Sequence, residues 1–527
     1  MKFYKHVMKI TGSIVLSIAI VGCDRPSNQT PVATEAARPS SEVAITTFCG
    51  SCHVFPPPSS FPRSRWRYEV EQGLKIYADS GRTDLVRPDL EATVAWFQSF
   101  APESYAFHQE DSSDREVVDD RFERIDLPQQ SGDIFSKISH ILSLDSGEFL
   151  VSELYTGNVT QATFHGDRVE KNAITKVADP VHVEPSDLDG DGTRDYVVAD
   201  IGFMDPSIQS YGTLWWVHRS TVGNASSGDQ ASGIMVNGWE TVPLKTGYSR
   251  VCDARPIDYD QDGDQDLVVA EFGFILEGSV QLLTNVGLEN GIPKFESKVV
   301  DERNGSIHVP VVDMNGDGLS DFLTLISQEH ETIEVHLNLG GGRFERKVIY
   351  AAGDPAYASS GIEVVDLDSD GDLDVLYTNG DTFDDHLAKP FHSVQWLENE
   401  GSFPFTHHHL TSMPGVYRAV SGDIDLDGDM DIAAVALISR PDSMKAGAAS
   451  EANGDQRESE FDGVIWLEQT EKGKFTRHRI LADQCVWASC ELIDLDQDGD
   501  LDLALGRFIQ DDNSTEGVVL YRNQTIK

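Results

Sequence analysis

A nine-residue phrase recurs six times between Asp187 and Asp502, and its repetition leaves few folds open. The fullest copies are DYDQDGDQD (Asp258–Asp266), DLDSDGDLD (Asp366–Asp374), DIDLDGDMD (Asp423–Asp431) and DLDQDGDLD (Asp494–Asp502). DLDGDGTRD (Asp187–Asp195) and DMNGDGLSD (Asp313–Asp321) are looser. Every copy has carboxylate or amide oxygens at positions 1, 3 and 5, a glycine at 6 and an aspartate at 9. Oxygens on alternate residues of a tight loop suit a hard cation that takes six to eight oxygen ligands, and the glycine permits the sharp turn. The expected ion is Ca²⁺. Its expected ligands are Asp187, Asp189, Asp191 and Asp195 in the first loop, then Asp258, Asp260, Asp262 and Asp266, then Asp313, Asn315, Asp317 and Asp321. The later loops supply Asp366, Asp368, Asp370 and Asp374, then Asp423, Asp425, Asp427 and Asp431, then Asp494, Asp496, Asp498 and Asp502.

Acidic surface turns also favour Asp and Gly, but six copies with one internal spacing identify a repeat. An EF-hand would need a bidentate Glu at position 12, where this chain has Val198, Val269, Thr324, Tyr377, Ala434 and Leu505. The loops lead instead into DYVVAD, DLVVAE, DFLTLI, DVLYTN, DIAAVA and DLALGR, short apolar runs of strand character. Successive loops start 71, 55, 53, 57 and 71 residues apart, a period that suits four-stranded propeller blades with insertions. EFLVSE (Glu148–Glu153) aligns with DYVVAD and marks a seventh unit, whose loop, LDSGE, lacks ligands. The chain stops without an outer strand for the last unit, while an orphan copy, RFERIDL (Arg121–Leu127), precedes the first. Pairing the two would close a ring and remove the exposed edges of an open array.

The formal charge of −47 is partly explained by the 27 aspartates inside the six loops. A surface this acidic argues against nucleic acid as a partner.

Ahead of the repeats, residues 1–23 read as a targeting segment. Lys2, Lys5 and Lys9 precede an apolar stretch, Ile10–Val21, too short to span a bilayer. The segment ends in Ile20-Val21-Gly22-Cys23, which resembles the lipobox of bacterial lipoproteins. That resemblance implies lipidation at Cys23 and a membrane-anchored location in the periplasm or cell envelope; an ordinary secretory signal would also export the chain. Residues 24–42 are rich in Pro, Ser and Thr and read as a tether. Cys49-Gly50-Ser51-Cys52-His53 then gives CxxCH, the attachment pattern of c-type haem, with Cys49 and Cys52 as thioether residues and His53 as iron ligand. A plain disulfide is the alternative. Trp66, Val70, Leu74 and Tyr77 space an amphipathic helix, and Pro88–Phe100 predicts a second. Residues 43–102 resemble small class I cytochromes c, with one departure: no methionine occurs between Met8 and Met204. The distal ligand is left to His108, to a residue of the repeats, or to none. Residues 103–120 form an acidic linker.

From residue 121 to 527, the repeated DxDxDGxxD with its apolar strand, and Phe272-Gly273 after one copy, resemble the FG-GAP/VCBS repeat family, in which the integrin α-subunit propeller belongs. The resemblance implies a mainly β, seven-bladed β-propeller with Ca²⁺ loops on one face, here preceded by the small helical segment. The family commonly serves adhesion or ligand binding and includes lectins and some polysaccharide lyases.

Five residues before each loop stand His182, Asp253, His308, Gly361, Arg418 and Ser489, on strands expected to border the central channel. His182, Asp253, His308 and Arg418 are the candidate ligand site, for a protein or carbohydrate. Two runs, Gln328–Glu331 (QEHE) and Asn379–His386 (NGDTFDDH), combine carboxylates with histidine and read either as solvated loops or as metal or acid–base groups. Cys485 and Cys490 could pair. The function expected from these features is an exported, lipid-anchored haem c protein with a Ca²⁺-stabilised propeller that binds a ligand or redox partner. A propeller enzyme (a haem-linked oxidoreductase or a polysaccharide-active enzyme) and a haem-free adhesion protein are the alternatives.

Overall fold

The second strand of each blade explains the architecture best. Asp195–Asp200, Asp321–Ile326, Asp374–Asn379, Asp431–Ala436 and Asp502–Arg507 are buried at every residue. A strand covered on both faces must lie between two other sheets, which is what packing blade against blade supplies. The computed structural model describes residues 41–107, 120–127, 137–144, 147–166, 168–204, 210–220, 233–274, 277–439, 461–482, 484–509 and 516–526. Among them, seven antiparallel sheets follow one another along the chain. The first strand of each packs on the first strand of the next, and the seventh returns to the first, so these strands ring a central channel.

Blade 1 (Ile138–Lys176) is the unit without an aspartate loop. In blade 7 the outer strand is Phe122–Arg124, paired with the C-terminal strand in the register Phe122↔Asn523, Glu123↔Arg522 and Arg124↔Tyr521. The ring therefore closes as the orphan RFERIDL copy requires, with Ile138, Phe149 and Val151 packed against Ala504 and Leu520 across the seam. Ile234–Val236 adds a fifth strand to blade 2. Residues 440–460, within blade 6, lie outside the described residues.

Three helices precede the ring: α1 (Ser41–Cys49), α2 (Trp66–Asp79) and α3 (Leu90–Phe100). The four buried residues of α2 are Trp66, Val70, Leu74 and Tyr77, the predicted stripe. Asp89 caps α3 by accepting from the Ala92 N–H at 2.9 Å. α1 was not legible: SEVAITTFC is rich in β-branched residues of low helix propensity, and the contacts of Ile45 and Phe48 with the other helices hold it. The headpiece sits on the propeller face opposite the aspartate loops. Ser60 donates to Asp354 at 2.6 Å, Leu387 joins the headpiece core, and Phe107 packs on Phe461 with ring centroids 4.9 Å apart. The targeting segment with Cys23, the tether up to residue 40, His108 and linker residues 109–119 lie outside the described residues.

Candidate functional site

The six aspartate loops share one backbone. Position 6 is a glycine at positive φ in each (Gly192, Gly263, Gly318, Gly371, Gly428 and Gly499). Position 4 is also left-handed, even where it is Gln261, Ser369, Leu426 or Gln497. Four non-glycine residues held at positive φ mean that the rest of each loop dictates its shape. Three carboxylates converge in five loops, with ligand atoms within 4.8 Å: Asp187/Asp189/Asp195, Asp258/Asp260/Asp262, Asp366/Asp368/Asp374, Asp423/Asp425/Asp431 and Asp494/Asp496/Asp498. In the sixth loop the Asn315 amide donates to Asp317 Oδ2 at 3.0 Å. Oδ1 of Asp187, Asp258 and Asp423 is buried with no hydrogen-bond partner, a donor set that fits an oxygen-seeking cation.

Position 9 has a second task. Asp502 accepts from the Leu495 N–H at 3.0 Å and the Asn523 N–H at 2.8 Å, and Asp321 and Asp431 repeat the pattern. Burial pushes Asp266, Asp431 and Asp502 up to about 7. These aspartates bracket the loop onto its blade whether or not a cation is bound. A side-chain amide near the end of the third strand completes the bracket in four blades, and sequence reasoning missed it. Asn285, Asn338, Gln469 and Asn523 donate to the position-2 carbonyls of the preceding blade, Leu188, Tyr259, Leu367 and Ile424, at 3.1, 2.8, 3.0 and 2.7 Å. The signal was present in the recurring Asn or Gln of TNV, LNL, EQT and RNQ.

On the opposite face, headpiece and propeller enclose a cavity of about 1990 Å³. Phe48, Trp66, Leu74 and Phe97 form its upper wall, and Trp66 stacks on Phe97 with centroids 3.9 Å apart. Leu154, Ile201, Phe383, Tyr417 and Phe508 form an apolar collar below. Cys49, Cys52 and His53 open onto this space. Both cysteines are free thiols, and burial pushes Cys49 up to about 11. His53 Nδ1 lies 2.7 Å from the Val54 carbonyl. Donation there fixes the tautomer and leaves the Nε2 lone pair available to a metal.

Below the collar the cavity runs into the channel, where three of the four candidate ligand residues meet. His182 Nε2 is 3.2 Å from Asp253 Oδ1, and His308 Nδ1 is 3.8 Å from Asp253 Oδ2. Arg255, not singled out from the sequence, lies 3.0 Å from Asp253 and 2.7 Å from Glu184. Although burial alone would raise Asp253, Arg255 and the two histidines hold it well below the usual carboxylate range. His140 packs on His182 with the rings tilted and their centroids 4.0 Å apart, and burial keeps it neutral. Arg418 lines the same cavity without an ion pair to Asp253; it donates to the Ile362 carbonyl at 3.1 Å and borders a smaller space of about 160 Å³ shared with His140, Glu184, Arg255, Glu363 and Glu491. Burial raises both Glu363 and Glu491, the latter to about 7.

Neither histidine-bearing run is a solvated loop. Both border the cavity. Glu331 is 3 % exposed and accepts from the Ala358 and Ser359 N–H groups at 3.2 and 2.9 Å. In the other run, burial and the charge of Asp384 push Asp381 up to about 7, and Asp385 pairs with Lys389 at 2.7 Å. Cys485 and Cys490 do not form a disulfide with each other, and their thiols are directed at different carbonyls, Asp462 and Arg418.

Seven blades with these loops define an FG-GAP-type propeller binding module. The FG-GAP-like repeat family matches residues 258–324 and 313–377. Among solved structures, the chain is similar to a lectin from Agrocybe aegerita described by its recognition of non-reducing terminal N-acetylglucosamine. The identity is 15 %, covering 67 % of this chain and 82 % of the lectin, with a TM-score of 0.39. No curated protein is significantly similar to the chain.

Proposed function

We propose that this chain is an exported, lipid-anchored haem c protein whose Ca²⁺-stabilised propeller binds a ligand or partner and couples that binding to electron transfer. The observation that carries the reading is the placement of Cys49, Cys52 and His53 on the wall of a large cavity between two apolar surfaces. These residues fit the group: Cys49 and Cys52 would hold it as thioethers, and His53 would offer Nε2 to the iron. Bound there, haem supplies one-electron transfer. The headpiece aromatics and the collar give the site apolar walls, and the Val54 carbonyl orients the His53 ring. The loop aspartates, with their orphaned oxygens, support Ca²⁺. Anchoring rests on Cys23; among the described residues no helix is long and apolar enough to cross a membrane.

A pyridine haemochrome spectrum of the exported protein tests the haem. A c-type spectrum that disappears in Cys49→Ser/Cys52→Ser supports the reading, and a colourless wild-type protein leaves the haem-free adhesion module. A second reading, a propeller enzyme, draws on the cavity's size. It exceeds the roughly 300–1,000 Å³ of ordinary ligand sites and continues to His182, Arg255 and His308. A screen for sugar oxidation or glycan cleavage, with His182→Ala as control, separates it from a binding module.

A further inference from the structure

The turn that joins the second and third strands of blade 4, residues 327–331, is fixed more firmly than a surface turn requires. Gln328 and Glu331 both hold positive φ, 58° and 48°, and His330 lies between them. On one side Ser327 donates its N–H and its hydroxyl to the Gly305 carbonyl, at 2.8 and 3.2 Å, and the Asn304 amide donates to Glu329 at 3.3 Å. On the other side Glu331 is clamped to Ala358 and Ser359 at the start of blade 5, and its own carbonyl accepts from the Ala352 N–H at 3.0 Å. Strain of this kind at non-glycine residues persists where the surroundings over-determine it, and it gathers at ligand sites.

The side chain presented in this way, that of His330, makes no hydrogen bond or ion pair among the described residues, although the ring borders the same cavity as His53. Three of the other histidines of that wall are engaged, His182 with Glu184 and Asp253, His308 with Asp253 and His386 with Ser439, whereas His140 lies deeper, tilted against His182, with its buried Nδ1 unpartnered. Met204 packs in the apolar collar.

We propose that His330 supplies the second axial nitrogen to a haem attached at Cys49 and Cys52, so that headpiece and propeller share one iron. The proposal rests on the haem reading above. Burial comes first in lowering the basicity of His330, and the positive charge of Arg303 adds to it against Glu329 and Asp301. A neutral imidazole is the form a metal requires. The consequence is mechanical as well as electronic. A ligand that shifts the turn of blade 4 would move an iron ligand, and propeller occupancy would then be read out as a change in potential.

The test uses the full-length exported protein, with haem content by pyridine haemochrome and spin state by ferric optical and electron paramagnetic resonance spectra. Wild type is expected to be low-spin with two nitrogenous ligands. His330→Ala should keep its haem, lose the low-spin signal and regain it on addition of imidazole. His330→Met should stay low-spin and show a raised reduction potential. A haem-bearing wild type that is already high-spin overturns the proposal, as does a His330→Ala protein that remains low-spin at an unchanged potential. No haemochrome in wild type instead sinks the underlying haem reading, a different failure.

Discussion

The two faces of the ring obey different rules. On the aspartate face, every loop has the same left-handed positions 4 and 6, and position 9 is buried in all six copies. On the cavity face, the residue that ends each second strand changes from blade to blade: Glu153, Asp200, Glu271, Ile326, Asn379, Ala436 and Arg507. Beyond it the connections differ in length and chemistry, and the headpiece, the QEHE turn and the NGDTFDDH run all gather there. Repetition is preserved where the task is the same in each blade, namely fixing strand ends and joining neighbours. It is abandoned where a single asymmetric site is built.

The largest effect should come from removing the cation. Each site held at a hundred times its Kd stabilises the fold by about 2.7 kcal/mol, and the loops lie in six of the seven blades. Chelation should therefore lower the Tm well beyond what one substitution achieves, and Ca²⁺ should restore it. A Tm indifferent to chelator would remove the loops from the list of metal sites. Next in size is the contrast between two residues of one loop. Asp502→Ala strips a residue 1 % exposed of two backbone hydrogen bonds, leaving buried N–H groups unpaired at about 1–3 kcal/mol each. That loss should be present with and without Ca²⁺. Asp494→Ala removes an oxygen of the carboxylate trio and one acceptor, for the exposed Asp498 N–H, so its loss in chelator should be smaller than that of Asp502→Ala and should grow when Ca²⁺ is present. Equal losses in chelator would mean that position 1 is structural too. Smaller again is Asn338→Ala, which unpairs the Tyr259 carbonyl of the preceding blade. It should cost on the order of 1–3 kcal/mol, seen as a shifted urea midpoint with the m-value unchanged.

This asymmetry also decided what could be read in advance. Blade number, the unit without an aspartate loop and the closing strand were legible because each follows from comparing copies of one phrase, and a one-residue error would turn every side chain to the other face. The channel cluster was legible in part. His182, Asp253 and His308 fell out of counting back from the loops, whereas Arg255 sits two residues further on and escaped the count. Arg418 was counted correctly, but its guanidinium turns to Ile362 and the smaller space beyond. The headpiece helix α1 and the placement of the QEHE turn against it depend on contacts between distant segments, and no local periodicity records those.

The smallest expected effect lies on the cavity face and is a matter of pH. Burial, opposed by the hydrogen bonds from Ser359 and Ala358 and by the charge of Lys389, moves Glu331 from 4.5 up to about 8. Tyr350, Tyr357 and Tyr377 face the same carboxyl, and each is itself shifted upward, so none ionises first. Between those two values the folded protein holds a proton that the unfolded chain has released. The Glu331 contribution is therefore full below the unfolded value and is lost as pH rises through the folded one. Glu331→Gln keeps the shape and removes the titration. Its Tm should fall less than that of wild type between pH 5 and pH 8, with the two proteins closest at the acid end. Parallel curves would mean that Glu331 is already ionised at neutral pH, and the turn of blade 4 would then be held by a charge rather than by a neutral clamp.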